Sequence, residues 1–136
     1  MTHYMARRKF ISLLAGTVVA APHVARAQQA QKTPRVGMLW HGANEEEEAN
    51  YLGAFKRGLR KVGYVDGRNI ELLNRFADEH YERFNRQAVE LVQLKVDVII
   101  AVTPPAALAA QRATTTIPVV FVLIPDPVRM KLVDSI

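Results

Sequence analysis

The sequence predicts an α/β fold built on an open parallel sheet with flanking helices. Two apolar runs rich in β-branched residues, 96–102 and 117–124, barely alternate in polarity, which suits strands buried on both faces. An alanine-rich helical stretch, 106–113, joins them, and parallel neighbours need such a crossover. The chain before this unit repeats the alternation of apolar run and helical stripe. The order therefore reads β-α-β-α-β-α-β, followed by the opening of a fourth helix.

A length of 136 residues fits one domain and no more. The absence of cysteine excludes a disulfide framework, a thiolate metal site and a cysteine nucleophile. The formal charge of +5 invites a nucleic-acid reading, but the charge is unevenly placed. Residues 1–27 carry Arg7, Arg8, Lys9 and Arg26 and no acid; the rest carries 14 basic and 13 acidic residues. Without the first segment the chain is nearly neutral, and the electrostatic case for nucleic acid disappears.

Residues 1–27 read as a signal peptide. Arg7 and Arg8 form a twin-arginine pair, a weakly hydrophobic run covers 10–21, and Ala25-Arg26-Ala27 is a small-x-small cleavage site. The run is shorter than the ~20 residues a spanning helix needs, so no stable membrane insertion is expected after cleavage. The arginine pair points to the twin-arginine route and to a periplasmic protein comprising 28–136.

The remaining elements follow in order. Residues 35–40 form the first strand. Four acids, Glu45 to Glu48, are expected in the first turn of the first helix, facing its dipole. That helix runs from about Glu47 to Val62, with Leu52, Phe55, Leu59 and Val62 on its apolar face. Gly63 is a good C′ residue, with Tyr64 supplying the accompanying contact, and Asp66-Gly67 signals a turn. A second strand is expected over 69–74. Asp78 is the expected N-cap of a second helix whose stripe is Tyr81, Phe84, Ala88, Leu91 and Leu94. Val96 opens the third strand. Thr103 is the expected cap of the third helix, with Pro104 at N1. Pro118 stands near the start of the fourth strand, where a missing N–H costs little.

Catalytic signatures are missing. There is no Walker A loop, no G-x-G-x-x-G after Trp40 and no G-x-S-x-G elbow. Outside residues 1–27, Ser135 is the only serine and His41 and His80 are the only histidines. No acid/base pair, metal-ligand spacing or cofactor motif can be named, so an enzyme is not expected. Position supplies a binding site instead. Ligands of open α/β sheets sit beyond the carboxyl ends of the strands, here Trp40-His41-Gly42, Thr103-Pro104 and Asp126. Trp40 can stack on a ligand or merely pack. His41 can face a ligand or solvent. Thr103 can offer a hydroxyl at a helix N-terminus or only cap, and Asp126 can accept from an amine or only cap.

These residues also carry a resemblance. Gly63-Tyr64-Val65-Asp66-Gly67-Arg68-Asn69, Val96-Asp97-Val98-Ile99-Ile100-Ala101, Ala106-Ala107-Leu108-Ala109-Ala110 with Thr114-Thr115-Thr116-Ile117-Pro118, and Asp126-Pro127-Val128 resemble the ABC-transporter substrate-binding proteins related to the tryptophan/aromatic-amino-acid uptake group. The resemblance implies a Rossmann-like lobe of a type I periplasmic binding protein. It implies capture of a small solute, an amino acid among the candidates, between two lobes, and delivery to an ABC permease in the inner membrane. Such proteins are about twice as long, so the chain is expected to hold part of the first lobe. Where this chain has Val102-Thr103-Pro104 and Ile124-Pro125, relatives tend to carry glycine-rich turns. The competing expectation is a non-transporting remnant or fragment with weak or no binding, or a dimer that covers an open sheet face.

Overall fold

A computed structural model describes residues 32–134; the twin-arginine pair and the cleavage site fall outside them. Four parallel strands, β1 (Arg35–Trp40), β2 (Glu71–Phe76), β3 (Val98–Val102) and β4 (Val119–Val122), alternate with three helices, α1 (Ala49–Lys61), α2 (Tyr81–Gln93) and α3 (Pro104–Ala113). The strand order is β2-β1-β3-β4. β1 is central, pairing Arg35 with Glu71 on one side and Val36 with Val98 on the other.

Alternation along β1 sorts the core into two layers. Val36, Met38 and Trp40 share one face with Leu52, Phe55 and Leu59 of α1. Leu39 shares the other face with Ile99, Ala101, Phe84 and Leu91 of α2, and Ala106, Ala107, Ala109 and Ala110 of α3. The alanine-rich character of the third helix thus has a packing role, because its small side chains are buried against α2 and the sheet.

The G-Y-V-D-G-R-N segment is a structural staple. Gly63 has φ 91°, its N–H donates to Arg60 O at 3.1 Å, and Tyr64 N–H donates to Leu59 O at 2.9 Å. This is a Schellman end for α1. Asn69 closes the loop by accepting from Val65 N–H at 2.7 Å and donating to Gly63 O at 2.9 Å. Asp66 Oδ1 accepts from Leu72 N–H at 3.0 Å. The whole device lies ahead of β2, at the end of the sheet remote from the expected ligand end.

Several local expectations are corrected. The four acids precede α1 rather than forming its first turn, and two of them, Glu47 and Glu48, accept N–H groups of the loop after β1. β2 is displaced by two residues, because Asp66 and Asn69 hold the preceding turn. Val96 is buried but lies before β3, since Lys95 turns the chain at φ 55°. Asp78 does not cap α2. It takes a left-handed conformation at φ 53°, its carboxylate pairs with Arg83 Nη1 at 3.0 Å, and His80 occupies the N-cap position. Tyr81, expected in the buried stripe, is exposed.

Candidate ligand crevice

Strand order reverses between β1 and β3. From β1 the chain leaves through α1 toward β2, and from β3 it leaves through α3 toward β4. The crevice outside such a reversal is the ligand position of open α/β sheets. Here it is a hollow of about 340 Å³ lined by His41, Glu79, Tyr81, Phe84, Thr103 and Pro105. An adjoining acidic hollow of about 240 Å³ shares His41 and Glu79 and adds Gly42, Ala43, Glu47, Glu48, Tyr51 and Asp78.

Thr103 is the most constrained residue of the crevice. Its N–H extends the sheet by donating to Val122 O at 3.0 Å, while its carbonyl accepts the Ala107 N–H at 3.1 Å and starts α3. One residue therefore belongs to strand and helix at once, and it does so at φ 83° and ψ 159°. Pro104 accounts for the extended ψ. The positive φ has no such cause in a β-branched side chain and places Thr103 in a region that is essentially glycine's, at a cost of about 1–3 kcal/mol. The expected cap is also corrected: Thr103 makes no side-chain cap bond, and its Oγ1 is buried without a partner. Pro104 is at N1 as expected, and Pro105 follows it. The first N–H of α3 is therefore that of Ala106, which leaves a poor anion site.

The loop after β1 is held from two sides. Ala77, Asp78 and Glu79 donate their N–H groups to the carbonyls of Trp40, Gly42 and His41 at 3.1, 3.0 and 2.8 Å. From the α1 side, Glu48 Oε1 accepts the Gly42 N–H at 2.8 Å and lies 3.0 Å from His41 Nδ1. The carboxylate charge thus lies beside the ring, although Nδ1 is off the line of a hydrogen bond.

Of the six residues expected at the ligand end, His41 and Thr103 line the crevice, with Gly42 and Pro104 beside them. Trp40 and Asp126 do not join them. Trp40 is 2% exposed and donates Nε1–H to Asn74 Oδ1 at 2.9 Å. It lines instead an apolar groove on the α1 face with Met38, Val120 and Val122. Asp126 accepts from Arg129 N–H at 2.9 Å and closes a turn, since the expected fourth helix does not follow β4 among the described residues. Sequence reasoning missed Glu48, Glu79, Tyr81, Phe84 and Pro105. The i, i+3 pair Tyr81 and Phe84 at the start of a helix that follows a strand's carboxyl end carried a usable signal. Nothing in a run of four glutamates singles out Glu48.

Residues 45–136 match the family model for ABC transporter substrate binding protein. The chain belongs to that family. Over 82 residues this family member is 35% identical to the "Tyrosine-binding protein" of Clostridioides difficile (strain R20291), a match covering 60% of this chain and 24% of that protein. A conserved domain protein from Vibrio cholerae O1 biovar eltor has a similar structure, with TM-score 0.69 and 32% identity over 76% of this chain and 35% of that one. The ligand-free, open structure of a substrate binding protein with adhesive properties from Clostridium difficile gives TM-score 0.67 and 29% identity, covering 75% and 34%. The chain thus spans about a quarter of the curated relative and about a third of the solved ones.

The expected fold class stands: a parallel α/β sheet with flanking helices, as in type I periplasmic binding proteins. Members of the family are solute-binding proteins rather than enzymes, generally extracytoplasmic, and work with a small-molecule ligand and an ABC permease. Among the described residues no helix is long and apolar enough to cross a membrane. No group of three or more metal-ligating side chains is assembled among them either.

Proposed function

We propose that this chain contributes one wall of the solute site of an ABC importer, capturing a small molecule at the crevice between His41 and Thr103 for an inner-membrane permease. The observation that carries this reading is Thr103, which combines a glycine-like backbone with a buried hydroxyl that no protein group satisfies. Strain of this kind persists where the surroundings over-determine it and clusters at ligand clamps. Tyr81 supplies apolar surface beside the buried Phe84, and Glu79 and His41 supply polar groups, a mixture that suits orientation of a small organic solute. The tyrosine-binding relative makes an aromatic amino acid the first solute to try. Arg7, Arg8, Ala25 and Ala27 support export to the periplasm by the twin-arginine route, with 28–136 as the mature part and no membrane insertion after cleavage.

Isothermal titration of L-tyrosine into the purified chain tests this reading. Saturable 1:1 binding that weakens in Thr103→Val is the expected result. Binding that is indifferent to Thr103 would overturn the assignment of the crevice, and no heat at millimolar tyrosine would overturn the choice of solute.

A second reading is favoured by the α1 face. Val120 and Val122 are 52% and 42% exposed beside Trp40 and Met38, so self-association that covers this apolar strip competes with the monomer. Sedimentation across a concentration series separates the two.

A further inference from the structure

Glu48 is the one charged residue buried among the described residues, at 2% exposure, whereas Glu45, Glu46 and Glu47 are exposed. Removing a carboxylate from water is costly unless it is hydrogen-bonded, and packing alone would be served by leucine or methionine. What Glu48 gains is specific. Its Oε1 accepts the Gly42 N–H at 2.8 Å and stands 3.0 Å from His41 Nδ1. A Cβ on residue 42 would lie 2.7 Å from that same oxygen, so the carboxylate occupies space that only glycine leaves. Glu47 extends the arrangement by accepting the Ala43 N–H at 2.8 Å.

We infer that Glu48 is the positioning residue of the crevice. It fixes the loop after β1 and, through Nδ1, the orientation and tautomer of His41. The inference rests on the reading of the crevice as the solute site and adds to it a chemical class. A carboxylate 3.0 Å from Nδ1 favours a proton on that nitrogen through its charge, without a hydrogen bond, and the neutral ring then offers Nε2 as an acceptor. The crevice then presents acceptors from His41 and Glu79 and a hydroxyl from Thr103, with no lysine or arginine among its lining residues. Such a wall recognises the hydrogen-bond-donating part of a solute, an ammonium or a hydroxyl, and leaves any carboxylate of that solute to be met elsewhere.

The test uses the whole chain labelled with ¹⁵N and reads three things: amide exchange at Gly42 against Leu39, the ¹⁵N shifts of the His41 ring, and the affinity for L-tyrosine. In Glu48→Ala, Gly42 exchange should rise about tenfold, the factor expected for loss of a hydrogen bond to a charged group. Leu39 exchange should stay unchanged, the Nδ1–H preference should disappear, and tyrosine affinity should fall by a similar factor. Glu48→Gln retains an acceptor, so it should restore Gly42 protection and leave the tautomer unfixed. Unchanged Gly42 exchange and unchanged ring shifts in Glu48→Ala would overturn the inference. If Leu39 protection collapses as well, the fold has been lost and Glu48→Gln decides: an unaltered ring spectrum there counts against the role. If the wild-type chain takes up no tyrosine while Gly42 and His41 respond as stated, the choice of solute fails and the positioning role stands.

Discussion

Arg75 on β2 donates from Nη2 to Glu90 Oε1 on α2 at 2.7 Å, tying the edge strand to the helix that leaves it. The hydrogen bond from Arg75 and its charge hold the Glu90 carboxyl below the usual carboxylate range, against a smaller opposing effect of burial. A carboxylate lowered in the folded state stabilises the fold above its unfolded value and loses that contribution as pH falls through the folded value. Thermal unfolding should therefore show a shallow acid loss, setting in as pH falls below the ordinary glutamate value of 4.5, that Glu90→Gln reduces. The effect should be small, because both side chains are partly exposed and the pair is screened.

Thr103→Gly should make the chain more stable and a poorer binder. Glycine takes φ 83° without the strain that threonine carries, so chemical denaturation should show a gain of about 1–3 kcal/mol. The hydroxyl is lost in the same step, and calorimetry with L-tyrosine should show weaker binding. A stabilised variant with intact affinity would show that the hydroxyl does not touch the solute.

Gly37 and Leu91 should prove coupled. A Cβ at Gly37 would meet Leu91 Cδ2 and Cδ1 at 3.0 and 3.1 Å. Gly37→Ala should cost about 1–3 kcal/mol by overpacking, and Leu91→Ala about 2–5 kcal/mol as a core truncation. The double variant should lose less than their sum, since each change supplies what the other lacks. Denaturant midpoints for the four chains complete the cycle.

Val120→Thr should leave stability within about 0.5 kcal/mol, as for a surface change, and should reduce any self-association seen by sedimentation. A large drop in stability would mean that the exposed valine is covered by another copy of the chain even at low concentration.

The strand–helix alternation was legible from the apolar periods, although burial on both faces holds for β3 and not for β4, whose Val120 and Val122 are exposed on one face. Run 96–102 is apolar but for Asp97, run 117–124 is apolar throughout, and Leu52, Phe55 and Leu59 repeat at helical spacing. The Gly63 end of α1 was legible for the same reason: a single residue type satisfies the backbone demand. The start of α2 was not. Asp78 has the chemistry of a cap, but its backbone is claimed by the Gly42 carbonyl, a partner from tertiary structure, and its carboxylate by Arg83 on α2 itself. At the crevice, His41 and Thr103 were legible from position alone, since each is the first residue past a strand that flanks the reversal of order, whereas Trp40, the last residue of β1, packs on the α1 face. Glu48 was illegible because burial, not identity, separates it from the three glutamates before it.

The central place of β1 has a consequence for how the chain is made. Its first strand must wait for both neighbours: Glu71 is 36 residues after its partner Arg35, and Asp97, which accepts the Arg35 N–H, is 62 residues away. As synthesis proceeds from the N-terminus, β1 can close one side with β2, yet the other side stays open until β3 has emerged. Such long-range parallel pairing is slow and leaves unpaired strand edges exposed meanwhile. The nascent chain is thus most prone to stray association after β2 and before β3, a window that occupancy of a crevice completed by β3 cannot protect.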